Sequence, residues 1–326
     1  MNNEIKKLNE QAKIYSDKIE RLFDEIKRVI VGQDEIIRKL VLSIIADGHV
    51  LLEGVPGLAK TMMIKTLSDA IKTDFQRIQF TPDLLPADII GTKIFNMNNN
   101  SFSTKKGPIF SNFILADEIN RAPPKCQSAL LESMEERQVT IGEDTFLMAK
   151  PFHVLATMNP LENEGVYTLP EAQVDRFMFK LIIKYPSKDE EKEIMNRQTN
   201  GISQQINEVL KSSDIIDMQK FCQKVYADEK IHDYIADIVD ATRNPADIGV
   251  NGFIAYGASP RASIWLVLAA KANALVNGRG YAIPEDVQEV AHDVLRHRII
   301  LTYEAEAEEI TSEDIIDKIM KNVKVP

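Results

Sequence analysis

The chain has 326 residues, of which 44% are apolar and 27% charged, with a formal net charge of −10. That length suits two domains, and the excess of acid argues against sequence-independent binding to nucleic acid, which needs clustered Lys and Arg. No run of about 18 uninterrupted apolar residues is present to span a bilayer, and the opening MNNEIKKLNEQAKIYSDK lacks the apolar core of a secretory signal, so a soluble, cytoplasmic protein is expected. Cys126 and Cys222 lie far apart without metal-ligand spacing, which points to neither a disulfide framework nor a zinc site.

In chain order, Ile5, Leu8, Ile19, Leu22, Phe23, Ile26, Val29 and Ile30 recur at helical intervals, predicting an N-terminal helical segment (1–30) with two amphipathic helices parted near Tyr15. A further helix is expected after Val31-Gly32-Gln33-Asp34 to Ala46. A buried strand follows at His49 to Glu53, then strand-length runs at Phe75 to Phe80, Phe113 to Ala116, Phe152 to Ala156 and Phe177 to Ile183. Strands alternating with helices predict an α/β fold with a parallel sheet, spanning 30–185. Two hairpin insertions are expected at 92–104 and 139–148, around Asn98-Asn99-Asn100 and Gly142-Glu143-Asp144. From Tyr185-Pro186 strand signals fade, and helices are predicted at 187–199, 215–243, 260–277, 284–298 and 311–323. These make a second, all-helical domain (187–326), with start signatures at Ser187, at Pro284-Glu285-Asp286 and at Thr311-Ser312-Glu313-Asp314.

Gly54-Val55-Pro56-Gly57-Leu58-Ala59-Lys60-Thr61 follows the first strand and opens a helix ahead of Met62, the context that makes a P-loop credible. Its glycines let backbone amides turn towards phosphates, Lys60 would reach the outer phosphates and Thr61 would place its hydroxyl on Mg²⁺. Ala59 stands where glycine is usual, which requires that position to stay out of the φ > 0 region. The strand Phe113 to Ala116 ends in Asp117-Glu118. There the first carboxylate would hold Mg²⁺ through water, and the second would orient the attacking water. Together these two segments point to ATP hydrolysis.

The segments GVPGLAKT, ADEINRAPPKCQSALLESMEERQVT, VLATMNPLENEGVYTLPEAQVDRFM and GASPRA resemble the MoxR-type AAA+ ATPases, including the alanine before the P-loop lysine. The resemblance covers about residues 30–300. It implies a P-loop AAA+ domain with a helical lid and ATP between them. It also implies Asn159 as the sensor of the γ-phosphate or attacking water, the alternative being a strand-end cap on Pro160. Arg176 matches the arginine finger that completes a neighbour's site, against a simple surface pair with Asp175 or Glu171. Arg261 matches the lid's sensor arginine, tying lid angle to nucleotide state, and Val31-Gly32-Gln33 matches the segment lining the adenine. Arg121 is a second, lower-ranked candidate for a trans-acting cation. The resemblance further implies a hexameric ring, hairpins directed at its pore, and chaperone-like maturation, assembly or cofactor insertion with a von Willebrand factor A domain partner. A nucleic-acid motor or magnesium-chelatase-like subunit, and a slow nucleotide-gated scaffold, are the rivals. His292, His297, Trp265, Phe102 and Lys105-Lys106 are expected to be structural.

Overall fold

The computed structural model describes residues 2–97, 100–161, 165–200, 205–245, 249–250 and 252–326. The N-terminal segment is one helix, α1 (Asn2–Val29), not two. No Gly or Pro interrupts it, and Ala12, Ile19, Leu22 and Ile26 form a single buried stripe at three-, four- and seven-residue spacing. Tyr15 stays helical because it has a partner: its ring packs 5.1 Å from that of Phe221.

After α2 (Asp34–Ile45), the chain enters β1 (Val50–Glu53) and passes through the P-loop into α3 (Lys60–Ala70). There follow β2 (Phe75–Gln79), α4 (Pro86–Ile90), the hairpin β3 (Gly91–Asn96) and β4 (Ser101–Lys106), and β5 (Phe113–Asp117). Next come α5 (Pro124–Glu136), the second hairpin β6 (Gln138–Ile141) and β7 (Asp144–Leu147), β8 (His153–Met158), the short α6 (Glu171–Val174) and β9 (Phe179–Ile182). Five strands form one sheet in the order β2-β5-β8-β1-β9, and every pairing is parallel. Strands β1, β5 and β8 are buried almost throughout, as strands covered on both faces by helices must be, which is why they read as unbroken apolar runs. Phe95 and Phe102 face each other across the first hairpin, ring centroids 5.1 Å apart. Asn98 and Asn99 at its expected tip lie outside the described residues.

The C-terminal region contains α7 (Lys188–Thr199), α8 (Ser212–Lys224), α9 (Glu229–Arg243), β10 (Ile254–Tyr256), α10 (Pro260–Val276), α11 (Pro284–Leu295), β11 (Ile300–Leu301), α12 (Tyr303–Ala307) and α13 (Ser312–Asn322). The caps read from sequence are formed. Ser187 and Glu190 close a capping box on α7, Thr311 and Asp314 do so on α13, and Asp286 accepts from the Ile283 amide at the start of α11. Two expectations are corrected. The helix expected over 215–243 is two, because Asp228 caps a new start by accepting from the Lys230 amide, while Tyr226 is drawn into backbone bonds with Gly280 and Ala282. The lid is helical except for the antiparallel pair β10–β11. One continuous core runs from α1 and α2 through α3 and β1 into α8–α11 and α13, and a second lies under α4, α5 and the second hairpin.

Candidate active site

Register decides what meets at the C-terminal edge of the sheet. Gln79 on β2 stands opposite Asp117 on β5. Ala116 stands opposite Ala156, which brings Asp117 beside Thr157, and Thr157 is itself paired with Leu52. The P-loop leaves β1 one residue further on, and the Gly54 amide donates to the Met158 carbonyl at 3.2 Å, so Asn159 emerges beside the loop. Ligand sites in open α/β sheets form at this carboxyl edge.

Within the loop, Gly57 takes φ 87 and Ala59 takes φ 55. The expectation for Ala59 is therefore overturned: its methyl group sits in the left-handed region, at a cost of roughly 1–2 kcal/mol. The residue is the N-cap of α3, and its carbonyl accepts from the Met63 amide, so the first turn of α3 holds the strained conformation. Lys60 and Thr61 open that helix, and the Lys60 ammonium donates to the Gly54 carbonyl, which folds it over the loop.

The acidic pair is held from the two strands beside β5, β2 and β8, and from Arg121 just after it. Thr157 Oγ1 donates to Asp117 Oδ1 at 2.6 Å and accepts from the Glu118 amide at 2.9 Å. Arg77 donates to Asp117 Oδ2 from Nε at 2.9 Å and Nη2 at 2.6 Å. Glu118 is left-handed at φ 56, which turns its carboxylate away from the strand direction towards Gln79 Nε2 at 2.7 Å and Arg121 Nη1 at 2.9 Å. A non-glycine residue in that region is held by its surroundings and clusters at functional sites. Asn159 is buried, and its Oδ1 accepts from the Leu161 amide at 3.1 Å. The donor set fits a hard divalent cation: a carboxylate at the end of β5 and a hydroxyl in the first turn of α3, with no thiol or imidazole among them.

Beside the loop, an apolar groove is lined by Val29, Ile30, Val31, Leu58, Met62 and Ile194, of a character suited to a planar base. Gln33 also lines it and donates to the Lys184 carbonyl. Gly32 lies against Glu190 of α7. Val55 is half-buried, and Pro56 is exposed in the turn of the loop.

Arg176 and Arg261 are elsewhere. They share a cavity with His49, Met134, Glu135 and Trp265, at the N-terminal end of β1. Gly54 begins at the other end, five residues on and about 17 Å away at ~3.3 Å per residue. Arg261 therefore does not face its own P-loop, because α10 packs over α1 and α2 and carries its first turn to Glu135 and Asp175. Arg176 Nε pairs with Glu135 Oε2 at 2.9 Å, and Nη1 donates to the Leu131 carbonyl at 3.1 Å.

The remaining candidates are structural. His292 pairs with Glu313, and His297 is buried against the Phe177 carbonyl. Both cysteines are free and buried. Among the described residues there is no metal-ligand cluster and no helix long and apolar enough to cross a membrane. Sequence reading missed Gln79, Arg77, Thr157 and Glu135. The first three lie on strands, where only register reveals their neighbours, and Glu135 is one acid among several in Glu132 to Glu136.

Residues 49–179 match the ATPase family associated with various cellular activities, and residues 249–319 match the AAA lid domain. The chain is 49% identical to Chaperone MoxR1 of Mycobacterium tuberculosis, over 94% of this chain and 82% of that protein. It is 47% identical to protein YeaC of Bacillus subtilis over 93% of both. The crystal structure of an ATPase candidate from Cytophaga hutchinsonii superposes with a TM-score of 0.93 at 50% identity, covering 99% of each chain.

Proposed function

This chain belongs to the MoxR family of AAA+ ATPases, and from that membership we propose that it hydrolyses ATP with Mg²⁺ in a site shared between subunits of a six-membered ring. The observation that carries this is the meeting of the P-loop, Asp117, Glu118 and Asn159 at the carboxyl edge of β1, β5 and β8.

In this reading the P-loop amides and Lys60 bind the phosphates. Thr61 and, through water, Asp117 would hold Mg²⁺, which would supply neutralising positive charge at the phosphates. Glu118 accepts the proton of the attacking water, and Asn159 orients that water or the γ-phosphate. Glu118 is placed to do so because Gln79 and Arg121 fix its carboxylate and Thr157 fixes its amide. The base lies in the groove lined by Gln33 and Met62, with Gly32 at its rim. Arg176 and Arg261, too far from their own P-loop, serve the phosphates of the adjacent subunit, where such a cation is worth about 10³-fold or more in rate.

The work done is chaperone-like: maturation, assembly or cofactor insertion of partner proteins in the cytoplasm, with a von Willebrand factor A domain protein as partner. Support for this comes from the family, since an ATPase core does not by itself choose its client. Mixed-subunit hydrolysis tests the shared site. Lys60→Ala and Arg176→Ala should each be inactive alone and regain activity when mixed, because some interfaces then pair an intact P-loop with an intact arginine. Absence of rescue at every mixing ratio would refute it.

A further inference from the structure

Arg176 and Arg261 come from different domains yet share one carboxylate. Glu135, in the last turn of α5, gives Oε2 to Arg176 Nε at 2.9 Å and Oε1 to Arg261 Nη2. Two guanidinium groups this close repel each other, and an anion between them is what allows them to stand together.

The surrounding bonds use part of each guanidinium. Arg176 Nη1 donates to the Leu131 carbonyl at 3.1 Å. Arg261 Nη1 lies 3.7 Å from Asp175 Oδ2. Asp175 is itself fixed, accepting from Ser259 Oγ at 2.9 Å and from Arg298 Nε at 2.7 Å. Arg298 is buried, with its remaining nitrogens on the Asp175, Phe177, Met178 and Val294 carbonyls. Arg176 Nη2 and Arg261 Nε make no hydrogen bond among the described residues. Each guanidinium thus keeps a nitrogen without a hydrogen bond among the described residues while its others are held, the arrangement in which a supporting residue preorganises a group for a target it does not touch itself.

We propose that Glu135 is a positioning residue that sets Arg176 and Arg261 as one two-pronged cation for the phosphates of the adjacent subunit's nucleotide. This rests on the shared-site reading above. The acid also links the α/β domain to the lid, because one of its arginines belongs to α10 and the other to the segment before β9.

Glu135→Gln keeps the size of the side chain and removes its charge. In the full-length protein it should lower kcat for ATP about ten-fold, while KM and the Kd for a fluorescent ATP analogue stay within about two-fold of wild type, since the subunit's own P-loop is untouched. Glu135→Asp, one methylene too short to bridge both arginines, should fall between. Mixed with Lys60→Ala subunits, Glu135→Gln should exceed the mean of the two separate activities, because the Lys60→Ala subunit supplies an intact Glu135. General damage to folding is not rescued by mixing. A Glu135→Gln kcat within two-fold of wild type, with Arg176→Ala still complemented by Lys60→Ala, would overturn the role of Glu135 and leave the shared site standing. Failure of the Arg176→Ala mixture as well would remove the shared site and this proposal with it.

Discussion

Replacing Thr157 by valine tests the reading of the acidic pair most directly. The side chain is wholly buried, and valine fills the same volume, so no cavity opens. What is lost is the hydroxyl, which donates to Asp117 Oδ1 at 2.6 Å and accepts from the Glu118 amide at 2.9 Å. A hydrogen bond to a carboxylate contributes about 1.5–3 kcal/mol, and a polar group left buried without a partner costs about 1–3 kcal/mol. Asp117 keeps Arg77, so the lower halves of these ranges apply, and Thr157→Val should destabilise by about 2.5–4 kcal/mol. Urea unfolding at constant m-value measures this. Because the left-handed Glu118 loses the bond that holds its amide, turnover should drop about ten-fold or more, as for removal of an orienting partner. Binding of a fluorescent ATP analogue should persist. Thr157→Ser, which retains the hydroxyl, should keep most of the rate. A valine variant within about 0.5 kcal/mol of wild type, the range of an inconsequential surface change, and with unchanged turnover would refute the argument that Thr157 positions both acids.

Ala59→Gly should raise stability by up to about 1.5 kcal/mol: removing the left-handed strain returns roughly 1–2 kcal/mol, against ~0.5–1 kcal/mol of extra chain entropy for glycine. A lower urea midpoint for the glycine variant would show that the methyl group contributes a contact outweighing its strain. Acid sensitivity should arise at the N-terminal edge of the sheet. His153 is fully buried, with Nδ1 on the Gly48 carbonyl at 2.8 Å, and burial depresses its pKa from 6.5 to about 4. His49 is pushed down by the same cause and must stay neutral at Nδ1 to accept the Val154 amide at 3.0 Å. Depressed values stabilise the fold above pH 6.5, and that stability is lost as pH falls towards 4, by about 3 kcal/mol for His153. His153→Asn should flatten the fall in unfolding free energy between those limits. An unchanged pH slope would sink the assignment.

Much of the site was legible because it is local. The phosphate loop is one continuous stretch, and its meaning depends only on the strand before it and the helix after it. The acidic pair announces itself as the end of an apolar run. Helix starts at Ser187, Pro284 and Thr311 were readable because a cap is a bargain struck within four residues. The misreadings share a cause. Tyr15 reads as a break because its partner Phe221 is about two hundred residues away. The strand Ile254–Tyr256 was missed because its pairing partner begins at Ile300.

By itself, then, the sequence determined the five strands of the sheet, the P-loop, the two acids and the resemblance that points to Asn159, Arg176 and Arg261, all of them matters of short-range pattern. The tertiary structure alone decided that Ala59 is left-handed, that Thr157, Gln79 and Arg77 hold the acids, and that both arginines gather on Glu135 at the end of the sheet away from their own P-loop. Those outcomes depend on strand register and on how the lid packs over α1 and α2. Contacts across 40 to 126 positions of chain leave no period in the sequence, because they are fixed by the joint packing of elements that each look ordinary alone.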